Sequence, residues 1–204
     1  KPAFLKAADL HLVEISPRLR ELQQQAIAPS GLAAHWHNSV EDLPDQPAII
    51  IANEFFDALP IHQFQWINQR WAERVVGLDQ NGALAFGLRP VDERPAGVAL
   101  PDGAIIETSP TAKVSMATIA ARLRDHGGAA LIIDYGNINP IHGDTLQAVR
   151  AHKYDDPFAA PGEADITAHV DFAALARAAT AEGAHVRPVM RQGEFLIRMG
   201  LVDR

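Results

Sequence analysis

The chain has 204 residues, 48% of them hydrophobic, a formal net charge of −7 and a sequence pI near 5.7. That size and apolar content suit one globular unit with a sizeable core, and the acidity argues against a general nucleic-acid binder, whose affinity comes from clustered Lys and Arg. The absence of cysteine excludes disulfides, thiolate zinc sites and a cysteine nucleophile. No apolar run is long enough to span a membrane and no charged-then-apolar leader stands out, so the sequence reads as soluble.

From Leu10, LHLVE reads as a short buried strand closing at Glu14. Ser16 then caps a helix with Pro17 as its first residue and Leu19, Leu22 and Ala26 on one face. HWHNSV is a second short strand, and the polar EDLPDQP leads into AIIIA, a strong strand that stops at Asn53, Glu54 and Asp57. HQFQWIN, RWAERVVGL and ALAFGLR follow, separated by turn signals at Asn68 and Asn81-Gly82. They predict an antiparallel meander over 61–101 that ends in the proline-bearing loop from Arg94 to Pro101. At roughly forty residues it is longer than ordinary connections and reads as an insertion.

Ser109-Pro110 opens a helix with Met116, Ile119, Ala120 and Leu123 along one side, closed by Gly127-Gly128 before the strand AALII and Asp134. A last unit runs from DITAHV into a helix with Phe172, Leu175, Ala176 and Ala179 on one face and a stop at Gly183. HVRPVM and FLIRMG, around Gln192-Gly193, predict a closing hairpin that puts an antiparallel strand last in a mostly parallel sheet. The expected architecture is α/β, a Rossmann-like core from 1–60 and 102–204 interrupted by the meander.

Several strands share one grammar, a buried apolar run followed by a polar residue: LHLV-Glu14, IIIA-Asn53-Glu54 and LII-Asp134-Tyr135-Gly136. In open α/β sheets ligands bind outside the carboxyl ends of the strands. Each acid taken alone also reads as a cap for the helix that follows; the repetition favours a site. Glu14 stands where an acid accepts the hydroxyls of a ribose, yet the glycine-rich loop expected about twenty residues earlier is missing, and the first glycine is Gly31. Glu54 and Asp57, three apart past a strand, suit a guanidinium, which is planar, always protonated and matched by carboxylates in forked pairs. Asp57 as a helix cap and Glu54 as a structural acid is the alternative.

His35 and His37 share one strand face, as metal ligands do, but no third ligand stands at recognisable spacing, and no metal is expected. Trp66 and Trp71 read as packing residues or as part of a protein-binding surface. His169 reads equally as a structural histidine. There is no Gly-x-Ser-x-Gly elbow or phosphate-loop lysine motif, which leaves hydrolase and nucleotidase functions unsupported.

The segments LVEISPRLRELQ, NEFFDALPIHQF, ETSP, LIIDYG, GDTLQAVRAHKYDDPFAAPGEADITAHVDF and QGEFLIRMG together resemble the MidA-like methyltransferases, the family that includes the mitochondrial complex I assembly-factor methyltransferase. The resemblance implies a class I, S-adenosylmethionine-dependent fold with a seven-stranded sheet and an insertion between its fourth and fifth strands. Carried over by position, it implies that Glu14 holds the cofactor ribose, that Asn38 and Ser39 lie beside the adenine, and that Asn53 lines the methionine. It further implies catalytic roles for Asn53, Glu54 and Asp57, with Asp134, Tyr135 and His169 on the substrate side. The implied substrate is an arginine of a partner protein, such as a respiratory complex I subunit. One departure matters. The first strand and glycine-rich motif, expected just before Lys1, are absent, so the chain is expected to be a fragment that cannot methylate alone. Two rival functions remain, a non-catalytic assembly factor on the same fold and a nicotinamide-dependent oxidoreductase that also uses Glu14. The composition suits a bacterial cytoplasm, or a mitochondrial matrix if the source is eukaryotic; oligomeric state is not encoded legibly.

Overall fold

The structure, a computed structural model, describes residues 7–91, 100–139 and 142–202; most of the loop expected to end the insertion lies outside them. Strand β1 (Leu10–Val13) leads into helix α1 (Pro17–Ile27), whose cap Ser16 accepts the amide of Leu19, and β2 (Ala34–His37) then lies parallel to β1. The apolar face expected for α1 is corrected. Leu19 and Leu22 are 47% and 42% exposed, whereas Gln23 accepts the indole N–H of Trp36 and Arg20 reaches the strand ends. Hydrogen bonds to otherwise unpaired strand-end groups orient this helix more strongly than its thin apolar stripe does.

Strand β3 (Ala48–Asn53) precedes the meander of β4 (His62–Ile67), β5 (Arg70–Leu78) and β6 (Leu84–Pro90). Asn68 and Gln69, at φ 49° and 60°, supply the left-handed pair that a tight hairpin twist requires. In the second turn Asp79 accepts the amides of Asn81 and Ala83 around Gly82 at φ 78°. An unforeseen strand, β7 (Ile105–Thr108), adds to β4 and gives the sheet order β6-β5-β4-β7.

Helix α2 (Pro110–His126) leads to β8 (Gly128–Ile133) and β9 (Gly136–Asn137). After them come β10 (Gln147–Arg150), β11 (Lys153–Asp155), β12 (Asp165–Thr167), β13 (Val170–Asp171) and helices α3 (Phe172–Ala181) and α4 (Gln192–Arg198). β3 runs parallel to β8 with Asn53 opposite Ile133, and β9 runs parallel to β13. Met116, Ile119 and Ala120 of α2 pack with Phe56, Val170, Leu175 and Ala179 into the main core.

Among the described residues the parallel strands form separate pairs rather than one seven-stranded ladder. β3 is covered on one face only: Ile50 and Ala52 pack on the core, while Ile49 and Ile51 are 77% and 68% exposed. The expected closing hairpin is also corrected. Residues 184–191 contain no strand and QGEFLIR is helical, with Glu194 and Arg198 paired one turn apart. Gly193 is not in the left-handed region that would have made Gln192-Gly193 a hairpin turn.

Two glycines are required by close approach. A Cβ on Gly128, at φ 122°, would lie 2.0 Å from the carbonyl oxygen of Ala48, and one on Gly136 would lie 2.0 Å from that of Val170. Alanine at either is expected to cost roughly 2–3 kcal/mol in denaturant unfolding. Gly193→Ala, in open space within α4, is expected to be neutral or stabilising by up to about 1 kcal/mol.

Candidate functional site

The ends of β3 and β8 build one group of side chains. Glu54 extends the ladder by one bond, its amide donating to the carbonyl of Ile133 at 2.9 Å, and then turns in the left-handed region at φ 47° with its side chain exposed. A non-glycine residue held there is strained. The restraint comes from Asp134, whose Oδ2 accepts the amides of Phe56 at 3.1 Å and Asp57 at 3.3 Å while Oδ1 accepts that of Tyr135 at 2.9 Å. Burial, then the nearby Asp57 charge, pushes the Asp134 carboxyl up from its ordinary range against those three bonds.

Asp57 is 5% exposed. Its Oδ2 accepts the phenol of Tyr135 at 2.5 Å, and its Oδ1 is buried without a hydrogen-bond partner. Burial, reinforced by the bond to Asp57, pushes the Tyr135 phenol up to about 12, opposed by hydrogen bonds with Thr167 and Gln147. Gln147 in turn donates to the hydroxyl of Thr167 at 3.2 Å. His169 stands edge-on to the Tyr135 ring with centroids 5.8 Å apart.

Glu107, from the ETSP segment, fastens this group to the meander. It accepts the Gln63 amide at 2.7 Å and both the amide and hydroxyl of Thr145, whose hydroxyl oxygen accepts the amide of His169 at 2.9 Å. Ser109 caps α2 and donates to the carbonyl of Pro60. A small cleft of about 60 Å³ opens where α2 and α3 begin, lined by Phe56, Glu107, Lys113, His169 and Asp171 among others.

A second group sits past β1 and β2. The half-buried Glu14 accepts the amide of Ser16 at 2.8 Å on one oxygen and the Gln23 side chain at 3.3 Å on the other, so it does serve the start of α1. Arg20 donates to the carbonyls of Glu14 and His37 and to Oδ1 of the exposed Asn38. Ser39 caps the short turn Val40–Asp42 in a reciprocal box with Asp42. Just before β1, Asp9 pairs with His11 of β1 and His35 of β2, and His11 Nδ1 lies 2.8 Å from His37 Nε2. Among the described residues no three such side chains converge to hold a metal.

The candidates thus divide. Asn53, Glu54, Asp57, Asp134, Tyr135 and His169 gather at one strand end, and Glu14, Asn38 and Ser39 at the other. Sequence reasoning missed Arg20, Glu107, Gln147 and Thr167. All four lie in segments quoted for the family resemblance, which was the one signal available. Trp71 is 6% exposed and packs on Trp66 with ring centroids 5.1 Å apart, as packing residues do.

Residues 1–190 match the family described as "Putative S-adenosyl-L-methionine-dependent methyltransferase". The chain is 34% identical over 225 residues to the mitochondrial protein arginine methyltransferase NDUFAF7 of Danio rerio, covering 96% of this chain and 51% of that protein. It is 34% identical over 226 residues to the same protein of Homo sapiens, with 98% and 51% covered. A crystal structure of a methyltransferase-like protein from Burkholderia thailandensis, bound to S-adenosyl-homocysteine, superposes with a TM-score of 0.82 at 30% identity, over 96% of this chain and 54% of that one. The chain spans about half the length of the curated relatives it matches.

With only two tyrosines, and Tyr154 82% exposed, an absorbance titration resolves Tyr135. Its phenol is expected to resist ionisation until about pH 12 and to titrate lower in Asp57→Asn, which removes the charged acceptor. Because the folded value is the raised one, the stability that this proton confers is complete below about pH 10 and lost as pH climbs through the folded value.

Proposed function

The chain belongs to the S-adenosyl-L-methionine-dependent methyltransferase family, and from that membership we propose that the protein transfers a methyl group to an arginine of a partner protein. One observation carries the choice of acceptor. Glu54, Asp57 and Asp134 stand at one strand end, every described ion pair lies elsewhere, and a buried oxygen of Asp57 has no donor. A cluster of that sign with an orphaned acceptor suits a cation rich in N–H donors, and guanidinium supplies five.

S-adenosylmethionine, when bound, supplies an electrophilic methyl group on a sulfonium. Glu14 fits the role of ribose acceptor, because a carboxylate has about four lone-pair sites and its own chain occupies two. Asn38 and Ser39 would lie beside the adenine and Asn53 beside the methionine. Glu54, exposed and held in a fixed turn, would grip the guanidinium with Asp57 and take the proton that nitrogen sheds as the N–C bond forms, the S–C bond breaks and the electron pair returns to sulfur. His169 and Tyr135 would border the acceptor. Catalysis of this kind is mainly positioning and electrostatics.

The relatives named protein arginine methyltransferases support a protein substrate, and the resemblance suggests a respiratory-complex subunit. The setting would be the matrix in a eukaryote or the cytoplasm in a bacterium. Among the described residues no helix is long and apolar enough to cross a membrane.

In the natively encoded protein, Glu14→Ala is expected to weaken cofactor binding roughly ten- to a hundredfold in calorimetry, the equivalent of about 1.5–3 kcal/mol for charge-assisted bonds. Unchanged affinity would remove Glu14 from the cofactor site. Glu54→Gln should lower turnover on an arginine peptide far more than cofactor affinity, since the lost interaction belongs to acceptor and transition state. An equal loss of both would make Glu54 structural.

A further inference from the structure

We propose that Tyr135 is the positioning residue of the methyl-transfer site, fixing the carboxylate of Asp57 so that its free oxygen meets the acceptor in one orientation. The inference rests on the arginine-transfer function proposed above.

The torsion that carries a carboxylate is broad and roughly two-fold, so an aspartate with one free oxygen turns unless a donor holds the other. Among the described residues Asp57 has one side-chain donor, the phenol of Tyr135 at 2.5 Å on Oδ2, while Oδ1 is buried and unpartnered. The phenol also faces a fixed polar pair. Thr167 on β12 and Gln147 on β10 oppose the upward pull of burial on it, and these two strands pair with Gln147 opposite Thr167, the Gln147 side chain donating to the Thr167 hydroxyl at 3.2 Å. Tyr135 is also fixed by its main chain, whose amide donates to Asp134 and whose carbonyl accepts the amide of Val170. Tyr135 therefore ties NEFFD to LIIDYG through its hydroxyl and to DITAHV through its main chain, and DTLQ joins DITAHV through Gln147 and Thr167. None of these contacts requires Tyr135, Thr167 or Gln147 to touch the substrate. They act through Asp57.

The test is a double-mutant cycle on the natively encoded protein with S-adenosylmethionine and an arginine-containing peptide. Tyr135→Phe is expected to lower kcat about tenfold or more while the peptide KM and the cofactor Kd stay within about twofold. In the Asp57→Asn background the same substitution should change kcat by less than about twofold, because the group it positions is already altered. Thr167→Val should give a smaller loss in the same direction, and Thr167→Ser, which keeps the hydroxyl, should restore most of it. A full effect of Tyr135→Phe in the Asp57→Asn background would overturn the proposal. So would parallel losses of kcat, KM, Kd and melting temperature, which mark a structural role. If the wild-type protein methylates no arginine, the acceptor assignment fails by itself, and the link is then read from the phenol. Tyr135 should titrate lower in Asp57→Asn and higher in Thr167→Val, and a phenol unmoved by both would overturn the link.

Discussion

The carboxylate of Asp134 is the constraint on which the rest depends. It lies one residue past β8 and accepts three main-chain amides, two of them from the turn that leaves β3. Amides just beyond a strand end have lost their ladder partners, and in a buried setting each unpaired one costs on the order of 1–3 kcal/mol. One side chain satisfies all three and binds the ends of two parallel strands together. The left-handed backbone of Glu54 persists for that reason: the bond to Ile133 on one side and the Asp134 cradle on the other over-determine it. Burial pushes the Asp134 carboxyl upward, so part of the stabilisation is offset by desolvation.

How much of this was legible in the sequence follows from how local each signal is. Ser16-Pro17 and Ser109-Pro110 declare their helices because capping is settled within four residues. The meander declares itself through turn residues that tolerate positive φ. Burial is a different matter, since AIIIA reads as covered on both faces when only apolar content is counted, and nothing in six residues says that Ile49 and Ile51 lie in the open. QGEFLIRMG was misread for a related reason: glycine marks a hairpin only where the chain needs positive φ, and here it stands in the first turn of a helix.

The site shows the same divide. Polar residues at strand ends were visible one strand at a time, and the parallel pairing of β3 with β8 brought two of those ends together. Arg20 was not visible, because its partners Glu14, His37 and Asn38 come from the ends of two strands whose pairing the sequence does not state. Thr167 and Gln147 are thirty-two and twelve positions from Tyr135 along the chain. Such contacts belong to topology rather than to any local pattern, and only the family resemblance hinted that those segments mattered.

The meander supplies the contrast that gives the strand-end acids their meaning. Glu73 is buried there between His62 and Arg89, which hold its carboxyl below the usual range. Asp144 pairs with Arg74, whose guanidinium also donates to Gln63 and lies 3.6 Å over the ring of Phe86. The chain thus encloses its own guanidinium with a carboxylate, an amide oxygen and an aromatic face, the groups suited to that cation. At the ends of β3 and β8 no cationic side chain among the described residues pairs with the carboxylates. Glu73 is paired and shifted down, whereas Asp134 is shifted up beside an Asp57 whose second oxygen has no donor among the described residues. Acids that serve only the fold gain nothing from being left that way. The arginine transfer proposed above accounts for it, because the unpaired charge becomes favourable only when the acceptor arrives.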